Sequence, residues 1–247
     1  MAQLTVERAR KTYPGTTSPA LDDVDLTVEP GESYVILGPS GSGKSTLLRS
    51  IAGLEDLDSG DVLLDGVPLS RSPERLAMVF QDPALYPWLS VSENIAIAGR
   101  FAKNRERLND ETVDGLLGTL GLRHLKDAYP DSLSGGQAQR VSVGRALALG
   151  PDVLLLDEPL SALDPATRED LQKWLRDLME RLELTAVTVT HDVDEATALA
   201  DRVGFFDGPR GFSREWAVDR YSTPTETDEL STTIRGYYRQ ARGDYSI

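Results

Sequence analysis

Residues 38–46 read Gly-Pro-Ser-Gly-Ser-Gly-Lys-Ser-Thr. Gly38 to Ser45 fit the spacing Gly-x-x-x-x-Gly-Lys-Ser/Thr, in which glycines let backbone N–H groups turn inward around a polyphosphate. Lys44 supplies a full positive charge, and the helix that follows adds the partial charge of its N-terminus. Ser45 is placed to put a hydroxyl on Mg²⁺. The candidate nucleotide-holding residues are therefore Gly38, Pro39, Ser40, Gly41, Ser42, Gly43, Lys44, Ser45 and Thr46. Four specified positions match by accident in about one chain in a hundred of this length. The flanks argue against accident, because the apolar run Ser33–Leu37 precedes the loop and a helix-like segment closed by Gly53 follows it.

Further carboxylates, amides and a histidine sit where strands should end. The apolar run Val153–Leu156 leads into Asp157-Glu158-Pro159. A carboxylate at the C-terminal end of a central parallel strand faces the ligand crevice. Asp157 is thus placed to hold Mg²⁺, and Glu158 to orient and polarise an attacking water. His191 follows the run Thr185–Thr190, where it can hydrogen-bond a terminal phosphate. Gln81 follows the short apolar run Ala77–Phe80, within reach of the metal or the water. His124 lies in a polar helical stretch and receives no role.

A second anion-type feature is Leu133-Ser134-Gly135-Gly136-Gln137, with a helical pattern behind it. Ser134 has the character of an N-cap, and two glycines leave the backbone accessible. The same residues would serve as a plain capped helix start. Two phosphate-type helix ends lie far apart in one chain, so either one molecule folds them together or two molecules share nucleotide.

The elements that must position these groups read as an α/β core. Runs of strand character cover Leu4–Ala9, Leu21–Val28, Asp61–Gly66 and the segments already named. Val153–Leu156 and Thr185–Thr190 are apolar or β-branched throughout, as expected of strands covered on both faces. A helix from about Thr167 to Leu182, capped by Asp164 with Pro165 in its first turn, connects them as a βαβ crossover. From about Pro83 to residue 150 the pattern is helices and loops. Glu226 to residue 242 reads as a terminal helix.

Composition narrows the function classes. The 247 residues predict one large domain, with 40% hydrophobic and 27% charged residues, ordinary for a globular protein. The formal net charge of −14 disfavours a nucleic-acid partner and direct adsorption to anionic lipid. There is no cysteine, hence no disulfide, thiolate metal site or Cys nucleophile. The first residues have no signal-peptide core, and no apolar run approaches a membrane span, so the sequence predicts a cytoplasmic chain.

Taken together, these motifs resemble the ATP-binding-cassette ATPases over nearly the whole chain. Gly38–Thr46 are similar to Walker A, Val153–Pro159 to Walker B, Leu133–Gln137 to the signature loop, Ser161–Asp164 to the D-loop, Gln81 to the Q-loop and His191 to the H-switch. Gly144 stands where alanine is commoner. The resemblance implies a P-loop NTPase core with a parallel sheet, an N-terminal antiparallel β subdomain and a helical signature subdomain at about 83–150, all in one domain over 1–247. It implies ATP and Mg²⁺, the latter held by Ser45, Gln81 and Asp157. It implies Glu158, His191 and Gln81 as catalytic, Tyr13 as the adenine-stacking aromatic, and Asp164 as a link across a cassette dimer. Ser134, Gly135, Gly136 and Gln137 would close over the nucleotide of a second cassette, by expectation in a homodimer.

Residues 85–91, Leu-Tyr-Pro-Trp-Leu-Ser-Val, are similar to import cassettes of the nitrate, sulfonate and taurine type. There the surface near Trp88 receives an integral-membrane permease, served by a substrate-binding protein, at the inner face of the cell membrane. Two alternatives remain at this point: a soluble cassette of the iron–sulfur assembly type, and the cassette of an exporter.

Overall fold

The computed structural model describes residues 1–100, 108–219 and 221–243. In chain order the first strands are β1 (Leu4–Lys11), β2 (Leu21–Val28) and β3 (Ser33–Leu37), followed by α1 (Lys44–Ile51), β4 (Ser59–Leu64), β5 (Val67–Pro68) and β6 (Leu76–Val79). Then come α2 (Val91–Ala96), α3 (Asp110–Thr119), α4 (Gly135–Leu147), β7 (Val153–Asp157), α5 (Pro165–Arg181) and β8 (Thr185–Thr190). The last elements are α6 (Val193–Leu199), β9 (Arg202–Phe206), β10 (Phe212–Ala217) and α7 (Pro224–Gly243). They fall into two compact units, one built from Met1–Pro73 and the chain from Gln172 onward, the other from Glu74–Leu171.

In the first unit, β1 pairs antiparallel with β2 and β4, and β4 with β5. On β2 the buried residues Val24, Leu26 and Val28 alternate with the exposed Asp25 and Thr27, the period-2 signature of a sheet wetted on one face. The parallel part of this unit has β3 between β8 and β9, with β10 antiparallel to β9. Every residue of β3 and of β8 is buried, which is why their sequences are near-continuous apolar and β-branched runs. The register pairs Leu37 with Thr190. Residues 38 and 191 therefore leave neighbouring parallel strands at the same level.

In the second unit, β6 runs parallel to β7, with Leu76 paired to Val153 and Val79 to Leu156. Gln81 and Glu158 each lie two residues past that last pair. The helices α2, α3 and α4 pack together here. At Gly144 of α4, a Cβ would stand 2.4 Å from Leu120 Cδ1 and 3.2 Å from Ile95 Cδ1, so glycine lets these side chains close against the helix.

The strand at 59–64 starts two residues before its sequence signal, and β9 and β10 had no signal assigned. β9 contributes the fully buried Val203, Phe205 and Phe206 to the core, and it is the strand that covers the outer side of β3. Among the described residues no helix is long and apolar enough to cross a membrane.

Candidate active site

The first unit carries the phosphate loop, Tyr13 and His191. Helix α1 starts at Lys44, and its N-cap is Gly43, with φ 107° and no side chain to bond the first turn. A Cβ at Gly43 would meet Ala20 O at 2.7 Å, and the positive φ alone disfavours any other residue. The leading N–H groups of a helix have no intrahelical acceptor. At α1 no capping side chain takes them, and the positive end of the helix faces the loop.

Lys44 is only 4% exposed. Its ammonium donates to Gly38 O and Pro39 O, both at 2.8 Å, which folds the loop around a buried cation. Ser42 N–H donates to Pro39 O at 3.3 Å within the same turn. Ser40 and Gly41 are exposed, and Ser45 and Thr46 half-buried. A buried cation beside an uncapped helix end is the donor set that a polyphosphate requires, so the residues present fit ATP.

Tyr13 is half-buried beside this loop, its hydroxyl 3.3 Å from Thr46 Oγ1. The Lys11 ammonium lies 5.5 Å from the centre of the Tyr13 ring, a cation–π contact that fixes the aromatic face. His191 is exposed on the turn after β8.

The second unit carries the remaining predicted residues. Asp157 ends β7 with 7% exposure, buried as a metal-holding carboxylate should be. Glu158 follows in the left-handed region, at φ 46°, immediately before Pro159. Such a conformation in a non-glycine residue costs about 1–3 kcal/mol and persists only where the surroundings impose it. Ser161 ties this turn: its N–H and its hydroxyl both donate to Glu158 O, at 3.3 and 3.0 Å. Gln81 is exposed after β6.

Asp164 caps α5, accepting Thr167 N–H at 3.1 Å. Hydrogen bonds from the Thr167 side chain and then its backbone hold the Asp164 carboxyl below the usual carboxylate range, so it is ionised at neutral pH. Ser134 caps α4 in a reciprocal box: Gln137 N–H donates to Ser134 Oγ at 3.2 Å, and Ser134 N–H to Gln137 Oε1 at 2.9 Å. Ser134 and Gly135 are exposed, Gly136 buried and Gln137 half-buried. The serine commits a lone pair to its own helix and keeps its O–H as a donor.

The loop between β6 and α2 is built by two residues that sequence reasoning passed over. Arg145 of α4 donates to Pro83 O at 2.7 Å and Ala84 O at 2.8 Å. Burial lowers the Arg145 pKa, with Tyr86 acting in the opposite direction. Asn94 of α2, wholly buried, accepts Tyr86 N–H at 2.8 Å and donates to Leu89 O at 2.9 Å and Ser90 O at 3.0 Å. On this frame Trp88 packs against Tyr86 at 5.5 Å yet remains 69% exposed. Trp88 is thus a surface residue of this loop and not part of the core. Arg145 acts over links of 61 and 62 positions, which no local pattern announces, whereas Asn94 bonds residues only four to eight positions away.

A family model described as ABC transporter matches residues 21–161. The sulfate/thiosulfate import ATP-binding protein CysA of Nocardia farcinica is 47% identical over 226 residues, which is 90% of this chain and 66% of that protein. The chain thus spans just under two thirds of that relative's length. Among solved structures, cbiO1 from Clostridium perfringens, part of the ABC transporter complex cbiONQ, aligns with a TM-score of 0.79 at 30% identity, over 94% of this chain and 93% of that chain. The ATP-binding cassette MJ0796, solved as a dimer in a post-hydrolysis state bound to ADP and Pi, aligns with a TM-score of 0.74 at 32% identity, over 88% of this chain and all of that one. The mixed fold of parallel and antiparallel strands with packed helices matches these cassettes.

Proposed function

The chain belongs to the ABC transporter family, and on that premise we propose that it is the ATP-hydrolysing subunit of an importer for sulfate or thiosulfate. The observation that carries the nucleotide reading is the buried Lys44 ammonium beside a helix N-terminus that has no side-chain cap. Lys44 and backbone N–H groups of the loop 38–46, in which Pro39 has none to offer, would hold the β- and γ-phosphates, with Tyr13 against the base. Ser45, Gln81 and Asp157 would hold Mg²⁺, which when bound offsets the phosphate charge. Glu158, on its strained turn, would orient the attacking water and take its proton. His191 would hydrogen-bond the γ-phosphate.

Ser134, Gly135, Gly136 and Gln137 would complete the site on a second copy, with Asp164 linking the two. The dimeric MJ0796 cassette supports that arrangement. The exposed Trp88 surface would receive an integral-membrane permease, setting the chain at the inner face of the cell membrane, with a substrate-binding protein delivering cargo.

The import role follows the name of the Nocardia relative, as does the cargo. This corrects the nitrate, sulfonate or taurine cargo expected from the short Pro87-Trp88 motif. That loop would face a permease rather than the cargo, so its residues carry little cargo information, whereas the sulfate/thiosulfate relative matches over 226 residues.

ATP turnover by the purified chain tests the enzyme. Glu158→Gln should bind ATP but hydrolyse it at least about a hundredfold more slowly, the size of a lost general base; a wild-type rate in that variant would remove Glu158 from catalysis. In a complex reconstituted with permease and binding protein, sulfate or thiosulfate should raise turnover. Stimulation by nitrate or taurine alone would restore the first expectation.

A further inference from the structure

The turn that carries His191 is set from behind by residues the nucleotide reading does not use. Thr190, buried at the last position of β8, donates its hydroxyl to Glu195 Oε2 at 2.7 Å and accepts Asp192 N–H at 3.0 Å. Asp192 in turn caps α6, its Oδ1 accepting the N–H groups of Asp194 at 2.8 Å and Glu195 at 3.2 Å. Both neighbours of His191 are thereby tied to the first turn of α6. Glu195 is 2% exposed, and a carboxylate at that depth is a costly way to fill space. There one of its carboxylate oxygens accepts from Thr190.

Helix α7 also packs against α6. Ser231 Oγ lies 3.0 Å from Thr197 Oγ1 in a buried hydroxyl pair, Ile234 is fully buried, and Arg235 forms an ion pair with Asp194. The chain from β8 through α6 to α7 is thus linked by side-chain bonds at each step.

We propose that Glu195, acting through Thr190, is a positioning residue for His191, with α7 as the support that keeps α6 in place. The proposal rests on His191 serving ATP hydrolysis, as set out above. Thr190→Val tests it, since valine keeps the β-branched shape of a buried strand residue while deleting both hydroxyl bonds. Turnover (kcat) should fall about tenfold, the scale of a His191 held slightly out of place, with KM for ATP unchanged. Thr190→Ser, which keeps the hydroxyl, should restore kcat. Glu195→Gln, which keeps an oxygen acceptor, should leave kcat near wild type. In a His191→Ala background, Thr190→Val should add nothing, because the two changes act through one group.

A Thr190→Val effect that is the same size with and without His191, or absent, overturns the proposal. Equal turnover in wild type and His191→Ala would sink the role of His191, and the proposal with it; that result appears without touching Thr190, so the two failures are distinguishable. If Thr190→Val does not fold, the same cycle run with Glu195→Ala decides between these outcomes.

Discussion

The chain has two helix N-termini suited to phosphate, and they are finished in opposite ways. α1 begins behind Gly43, which has no side chain to offer, and beside the buried Lys44. α4 begins behind Ser134, which is bonded reciprocally with Gln137 and has no cation among residues 134–137. The first end leaves its dipole and donors to a ligand and adds a full charge. The second satisfies much of its own demand and keeps a serine hydroxyl and glycine backbone to spare. Under the proposed function such a pair divides the work: one end would bind nucleotide by itself, and the other would complete a site already charged with nucleotide.

The largest effect should come from the uncapped end. Lys44→Ala removes the buried ammonium, and ATP binding measured by calorimetry should fall by at least about a hundredfold, the scale of two or more lost charge-assisted hydrogen bonds; retained affinity would make the two helix ends equivalent. Ser134→Ala should leave ATP affinity of the single chain untouched while lowering turnover. It should also cost about 1 kcal/mol of stability in thermal unfolding, the worth of an N-cap. If Ser134→Ala weakened binding as much as Lys44→Ala does, the division of work would be wrong. Gln137→Ala removes the return bond of the capping box and one of the residues set to close over the second copy's nucleotide, so stability should drop by about 0.5–1 kcal/mol and turnover should fall, by less than in Ser134→Ala. Turnover left at the wild-type rate would take Gln137 out of the site and leave it a purely structural cap.

How much of this was legible in the sequence follows from where each signal resides. The loop at 38–46 and the runs at 33–37, 153–157 and 185–190 declare themselves locally, because strands buried on both faces need continuous apolar residues. The Ser134 cap and the Asp164 cap were readable for the same reason, since a cap bonds residues three positions on. The left-handed backbone of Glu158 was not readable, because the strain lies in φ and no residue type announces it. Arg145 reaching Pro83, 62 positions away, and the burial of Glu195 depend on packing that no short window contains. β9 and β10 went unassigned because Gly208, Pro209 and Gly211 interrupt the segment between them, and the apolar residues of β9 acquire meaning only beside β3.

The two units also divide the chemistry. One holds Tyr13, the phosphate loop and His191; the other holds Gln81, Asp157, Glu158, Asp164 and the Ser134 end. The most direct test of the central claim, that one chain supplies half of each site, is the mass of the Glu158→Gln variant by light scattering with and without ATP. The account predicts a monomer without nucleotide and a dimer with ATP and Mg²⁺, the dimer being lost again in the Glu158→Gln, Ser134→Ala double variant. A Glu158→Gln chain that binds ATP and remains monomeric at saturation would contradict it.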